Sequence, residues 1–239
     1  MITSLKDLKI KIFADGADLK SMFDMYQKPI IKGLTTNPTL MRKAGIKNYK
    51  SFALEVLNVI TEKPVSFEVF SDDFKEMISQ AKEISSWASN VNIKIPVTNS
   101  KGQDTSPVVK YLSDLGIIVN VTAVMTISQV KRIVKALNPK SPAFISIFAG
   151  RIADTGVNPV FTMQEALKIM TLAPNAELIW ASPRELLNVI QANEIGCHVI
   201  TATSDILNKL DLIGKDLSTY SLETVKMFKQ DALKSGFII

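Results

Sequence analysis

The stretch SNVNIKIPVTNSKG, residues 89–102, sets a lysine inside an apolar run. With the two-residue period of a strand, Val91, Ile93 and Ile95 share one face, and Asn92, Lys94 and Pro96 share the other. A lone ammonium withdrawn from water is costly, so Lys94 must pair with a carboxylate or give up its proton. A lysine that has lost its proton is a nucleophile for carbonyl carbons. Two carboxylates have the parity to meet it. Asp15 opposes Ile10, Ile12 and Ala14, and Glu68, with Ser66, opposes Val65, Phe67 and Val69. By the same rule Asn120 and Thr122 oppose Ile117, Val119 and Val121, and Ser146 and Phe148 oppose Ile145 and Ile147. Parity alone leaves two readings open: a reactive amine served by carboxylates, or a buried Lys–Asp–Glu cluster that fixes packing and does no chemistry.

The elements that carry these residues recur along the whole chain. Strand-like runs lie near residues 10–15, 31–35, 64–70, 91–96, 117–122, 143–148, 176–181 and 197–201. Segments with apolar residues at helical spacing separate them, such as Ile127, Val130, Ile133, Val134 and Leu137, or Leu186, Leu187 and Ile190. TISQ (126–129), TMQE (162–165) and SPRE (182–185) fit the capping box, the last with Pro183 at the first helical position. Eight strands alternating with helices predict an α/β fold, one (β/α)8 TIM barrel domain over residues 1–239. An open doubly wound sheet is the alternative, and no G-x-G-x-x-G loop follows the first strand to support it. Leu222, Val225, Phe228 and Ala232 share one face of a further C-terminal helix, expected at 218–236 as an appendage on the barrel or against a neighbouring subunit. In a barrel the polar parity converges at the mouth formed by the C-terminal strand ends.

Composition narrows the function classes. Of 239 residues 46% are hydrophobic and 21% charged, enough apolar material for a large core. No apolar run reaches membrane-spanning length, and the N-terminal stretch lacks the apolar block of a signal peptide, so no membrane span and a cytoplasmic address are expected. The net charge of +5 is spread over presumed helices rather than gathered with aromatics, which argues against nucleic-acid binding. Cys197 is the only cysteine and reads as a small buried residue. His198 is the only histidine and reads as a strand-start residue with a satisfied hydrogen bond. With no H-E-x-x-H or C-x-x-C spacing, no metal is expected. Nor is a cofactor expected.

GLTTNPTL (33–40), NIKIPVT (92–98), NVTAV (120–124) and FAGRI (148–152) follow one another on the second, fourth, fifth and sixth expected strands. With them the chain, from about residue 10 to residue 235, resembles the transaldolase family, in particular its short members related to fructose-6-phosphate aldolase. The resemblance implies a metal-free class I transferase. It would carry a dihydroxyacetone unit from a ketose phosphate, sedoheptulose 7-phosphate or fructose 6-phosphate, to an aldose phosphate, in carbohydrate metabolism such as the pentose phosphate route. Lys94 matches the Schiff-base lysine, Asp15 the carboxylate that moves the donor hydroxyl proton, Glu68 the proton relay through a water, and Thr122 the threonine that binds that water. Thr36, Asn37, Asn120 and Ser146 match positions around the dihydroxyacetone unit. Phe148 stands where the aldolase branch has a tyrosine, which favours transfer over release of dihydroxyacetone. Arg151, Ser182 and Arg184 match phosphate-binding positions, with Pro183 a departure from the usual phenylalanine. RIADTGVNP, following the sixth strand, is a local variation at the mouth. The resemblance also implies a homo-oligomer, a decamer or a dimer or pentamer, with the C-terminal helix reaching a neighbour. The alternatives are an aldolase that releases dihydroxyacetone, and a catalytically silent barrel that binds sugar phosphates.

Overall fold

The computed structural model describes residue 2 and residues 4–238. Its eight strands are β1 (Lys11–Asp15), β2 (Ile31–Thr35), β3 (Val65–Glu68), β4 (Val91–Pro96), β5 (Val119–Val124), β6 (Ala143–Ile147), β7 (Ala176–Trp180) and β8 (Val199–Thr203). Each pairs in parallel with the next, and β1 also pairs with β8, so the sheet closes into the expected (β/α)8 barrel. The α-helices among the described residues are α1 (Leu19–Tyr26), α2 (Pro38–Lys43), α3 (Tyr49–Val59), α4 (Phe74–Ser85), α5 (Ser106–Asp114), α6 (Ile127–Ala136), α7 (Ala149–Ala153), α8 (Pro159–Met170), α9 (Leu187–Glu194), α10 (Ser204–Leu207) and the C-terminal α11 (Leu217–Ser235).

Strand parity divides the core in two. The outward residues, among them Ile12, Phe67, Ile93, Val121, Ile145 and Trp180, pack under the helices with Val56, Met77, Ile133 and Met163. Each fully buried large side chain contributes about 1.5–3 kcal/mol. The inward residues Phe13, Ile179, Ala181 and Val199 form a smaller floor with Phe144 and Phe148. Above that floor the inner face turns polar.

Three local expectations fail for definable reasons. Strands β5 and β8 begin two residues later than their apolar runs. Gly116 and Gly196 are left-handed, and the N–H groups of Ile117 and Cys197 close the preceding helices onto the carbonyls of Leu112 and Ala192. Those apolar residues serve Schellman caps before the strands start. TMQE caps nothing, because Asn158 and Pro159 start α8 earlier, with the Asn158 side chain accepting from Val160 N–H. SPRE starts no helix either. Ser182 has φ +59°, outside the extended region an N-cap needs, and α9 begins only at Leu187. The TISQ box does form, on Thr126 and Gln129. In α9 the buried residues are Val189 and Ala192, while Leu187 is exposed. Cys197 is buried, its thiol pushed up to about 12 by burial, and His198 Nδ1 accepts from Leu178 N–H at 2.9 Å. No helix among the described residues is long and apolar enough to cross a membrane. Leu222, Val225 and Phe228 of α11 face solvent.

The floor imposes one tight constraint. A register shift between Ile12 and Phe13 brings Gly33 opposite Phe13. A Cβ on Gly33 would lie 2.6 Å from the Phe13 ring, which is itself wedged edge-on against Phe144 at 6.0 Å between centroids. Gly33→Ala should therefore destabilise the protein by about 1–3 kcal/mol as overpacking. Phe13→Leu in the same chain should recover part of that loss, because the two sites share one space. Denaturant midpoints of the single and double variants check both expectations.

Candidate active site

The C-terminal ends of the strands surround a cavity of about 440 Å³. Strand register builds its polar wall. Glu68 is level with Lys94, and Lys94 with Asn120, so three adjacent strands present carboxylate, amine and amide side by side. Asp15 is level with Thr35 on one side and Thr203 on the other. The walls include Asp15, Asn37, Glu68, Lys94, Asn120, Thr122, Ser146, Phe148, Arg151, Ser182 and Arg184. Of the residues expected from sequence, only Thr36 is absent from them. Its side chain is fully buried behind the wall and donates to the Ser66 carbonyl at 2.9 Å. What Thr36 offers is its own carbonyl.

Lys94 is 6% exposed. Its Nζ donates to the Thr36 carbonyl at 2.7 Å and lies 3.3 Å from Glu68 Oε2. Of the two carboxylates that sequence offered as partners, Glu68 takes the contact. Asp15 is held separately: Oδ1 accepts from the Thr35 hydroxyl at 2.7 Å and Oδ2 from Asn37 Nδ2 at 3.0 Å. Burial raises the Asp15 pKa above its ordinary 3.8, against the opposing pull of the Lys94 charge and these two hydrogen bonds. Asn37 is doubly employed, since its Oδ1 accepts from Leu40 N–H as the N-cap of α2. Beside Lys94, Ser146 donates to Asn120 Oδ1 at 2.7 Å, and Asn120 Nδ2 reaches Ser66 Oγ at 3.3 Å. Thr122 Oγ1 is buried on the cavity wall with no hydrogen-bond partner among the described residues, which leaves it for a bound molecule or water.

Thr35 and Thr201 are part of this constellation and were not singled out from sequence. Their hydroxyls are 2.6 Å apart, in a chain that ends on Asp15. The parity that found Asp15 applies equally to β2 and β8, and would have found both.

At the other end of the cavity the cationic groups differ in their freedom. The Arg151 guanidinium sits over the Phe148 ring, 6.0 Å from its centroid. Arg184, expected at the phosphate, lines the cavity and grips Asp154 through Nε at 2.9 Å and through Nη2, while Nη1 donates to Ser182 Oγ at 3.0 Å. That contact holds the Asp154 carboxyl below its ordinary range. Backbone N–H groups of a helix start are not aimed into this corner; those of Arg184 and Glu185 go to Asn188 Oδ1. The corner is close-packed, because a Cβ on Gly150 would lie 1.6 Å from the Ser182 carbonyl oxygen. Two non-glycine residues with left-handed backbone, Ala123 and Ser182, both line the rim. Such a conformation costs about 1–2 kcal/mol outside glycine, and here it is spent where the wall changes direction. Among the described residues no three His, Cys, Asp or Glu side chains gather as metal ligands.

The chain is 32% identical over 202 residues to a probable transaldolase of Dehalococcoides mccartyi, covering 84% of this chain and 90% of that one. It is 34% identical over 204 residues to a probable transaldolase of Nitrosopumilus maritimus, covering 84% and 87%. A probable transaldolase of Thermoanaerobacter sp. aligns over 96% of this chain and all of its own length at 29% identity. Among solved structures, a dihydrodipicolinate synthase from Rhodopseudomonas palustris superimposes with a TM-score of 0.59 at 14% identity, over 93% of this chain and 79% of that one, a likeness of fold alone. The family model described as Transaldolase/Fructose-6-phosphate aldolase matches residues 12–237, and the chain belongs to that family.

Proposed function

We propose that the protein is a Schiff-base transaldolase acting on phosphorylated sugars. One observation carries this reading: a buried amine, Lys94, stands 3.3 Å from the Glu68 carboxylate on the wall of a cavity that a second carboxylate, Asp15, also lines. Lys94 passes its proton to Glu68 and attacks the ketone carbon of the donor. Glu68 returns a proton to the departing hydroxyl, and water leaves to give the iminium. Asp15 then takes the proton of the hydroxyl two carbons from the iminium carbon. The C–C bond between the hydroxyl-bearing carbon and the carbon next to the iminium breaks, its electron pair moves toward the iminium to form an enamine, and the hydroxyl-bearing carbon leaves as an aldehyde. An acceptor aldehyde takes the enamine in the reverse sequence, with Asp15 giving its proton to the new hydroxyl. Hydrolysis frees the product ketose and Lys94. Thr122 Oγ1, without a partner of its own, supports a water on the Glu68 relay. Asn120 and Ser146 are the groups for the hydroxyls of the retained three-carbon unit.

Phe148 brings a ring without a donor to the cavity. The enamine therefore meets no hydroxyl at that position to protonate it, which supports transfer over aldol cleavage. The test is borohydride reduction with fructose 6-phosphate, together with product analysis without acceptor. We expect a three-carbon adduct on Lys94, none in Lys94→Met, and free dihydroxyacetone only at trace level. Rapid release of dihydroxyacetone would transfer the assignment to an aldolase, and an unmodified Lys94 would remove the Schiff base altogether.

Asp15 couples this chemistry to stability. Its folded-state pKa lies above 3.8, so below pH 3.8 both folded and unfolded states hold the proton and no stability is lost. As pH rises through the folded value the unfolded state ionises first, and stability falls. Asp15→Asn should therefore be inactive. Its unfolding free energy relative to the wild type should rise between about pH 3 and about pH 7. Denaturant titrations at the two pH values measure this, and a gap that does not widen would show Asp15 to be an ordinary surface-like carboxylate.

For the phosphate, Arg151 is the guanidinium on the cavity wall without a hydrogen bond to Asp154, whose carboxylate pairs with Arg184. Arg151→Ala should raise KM for the phosphorylated donor about tenfold, the worth of one charge-assisted hydrogen bond. Asp154→Asn should lower it by leaving the Arg184 charge without its carboxylate partner. Steady-state kinetics with fructose 6-phosphate separates the two directions.

A further inference from the structure

The parallel ladder between β2 and β3 can be followed bond by bond. Leu34 N–H donates to the Pro64 carbonyl at 2.8 Å, and two residues on, Thr36 N–H donates to the Ser66 carbonyl at 3.2 Å. The next rung of a parallel ladder would run from Glu68 N–H back to the Thr36 carbonyl. That rung is replaced. Glu68 N–H donates to the Tyr49 hydroxyl at 2.8 Å, and the Thr36 carbonyl accepts from Lys94 Nζ instead. The rung after it would need an N–H on residue 38, and Pro38 has none. The Tyr49 hydroxyl also serves that vacated position, donating to the Glu68 carbonyl at 3.0 Å. Tyr49 lies at the first turn of α3, outside the barrel wall, with its ring wedged edge-on against Phe67 and Phe70 at 6.1 and 4.5 Å between centroids. Burial raises its phenol pKa, so the hydroxyl stays neutral and can donate and accept at once.

We propose that Tyr49 is a positioning residue: its hydroxyl takes the Glu68 backbone out of the β2–β3 ladder and so leaves the Thr36 carbonyl to orient the Lys94 amine. The inference rests on Lys94 being the nucleophile. It adds that the aim of Lys94 is set by a side chain that never touches the substrate. In Tyr49→Phe the ring contacts remain and only the hydroxyl goes. Glu68 N–H then has one acceptor within its own register, the Thr36 carbonyl, and must compete with Lys94 for it.

The experiment combines kinetics with a crystal structure of Tyr49→Phe. Expected are a kcat lowered about tenfold or more at unchanged KM, a matching fall in the single-turnover rate of borohydride trapping, and Glu68 N–H bonded to the Thr36 carbonyl with Lys94 Nζ displaced. Phe70→Ala, which disturbs the same aromatic contacts without touching the hydroxyl, should leave kcat close to wild type. If Tyr49→Phe does not fold, 3,5-difluorotyrosine at position 49 keeps ring and hydroxyl but weakens the oxygen as acceptor, and should lower kcat. A folded variant with wild-type kcat, a difluorotyrosine protein with wild-type kcat, or a structure with Lys94 Nζ still on the Thr36 carbonyl would each overturn the proposal. Failure to trap Lys94 in the wild type would instead remove the Schiff-base reading, and the structural readout would still decide the positioning role.

Discussion

The site depends on one constraint, that a primary amine kept out of water must have its N–H bonds received by something. In this barrel the receivers are one backbone carbonyl and one carboxylate, and both come from strands that flank a common opening. Everything nearby follows from keeping those two acceptors in place. Glu68 is fixed because strand register sets it level with Lys94. The Thr36 carbonyl is available because Glu68 N–H is bonded to the Tyr49 hydroxyl, and just beyond it the chain leaves through Asn37 and Pro38 into α2. Asn37 closes the arrangement by capping that helix with one end of its amide and holding Asp15 with the other.

The second carboxylate is a different case. Asp15 is ringed by neutral donors rather than by a cation, so burial wins over the Lys94 charge and its proton is held more tightly than in water. Two carboxyl groups in one cavity thus have different environments. One faces an ammonium, the other faces hydroxyl and amide. Such asymmetry is how a single pocket supplies both a base and an acid in the same pH range.

Much of this was legible in the residues, because alternation along a strand is rigid. Once the runs around Lys94, Glu68, Asn120 and Ser146 were read as barrel strands, their parity left no choice of face. What escaped was set by contacts that alternation does not encode. Thr36 shares the T-T-N-P stretch with Asn37, yet a shift of one position turns a side chain through the wall, and Thr35 is the one inside. SPRE carries every local mark of a helix start, but Ser182 is left-handed where its carbonyl meets Gly150, and a left-handed residue cannot serve as the N-cap. The pairing of Arg184 with Asp154 joins residues thirty positions apart and has no local signature. Tyr49 reaches Glu68 from a helix on the far side of the strand, and only the assembled wall reveals what its hydroxyl does.

The division of the core into an outer apolar shell and a small inner floor has an evolutionary consequence. Nearly all the burial that holds the barrel closed lies between strands and helices, on the face that never meets a substrate. Residues on the other face of the same strands are free of that duty above Phe13 and Phe144. A lineage could therefore exchange polar side chains around the opening, one strand at a time, and try new ligands without reopening the question of how the chain folds.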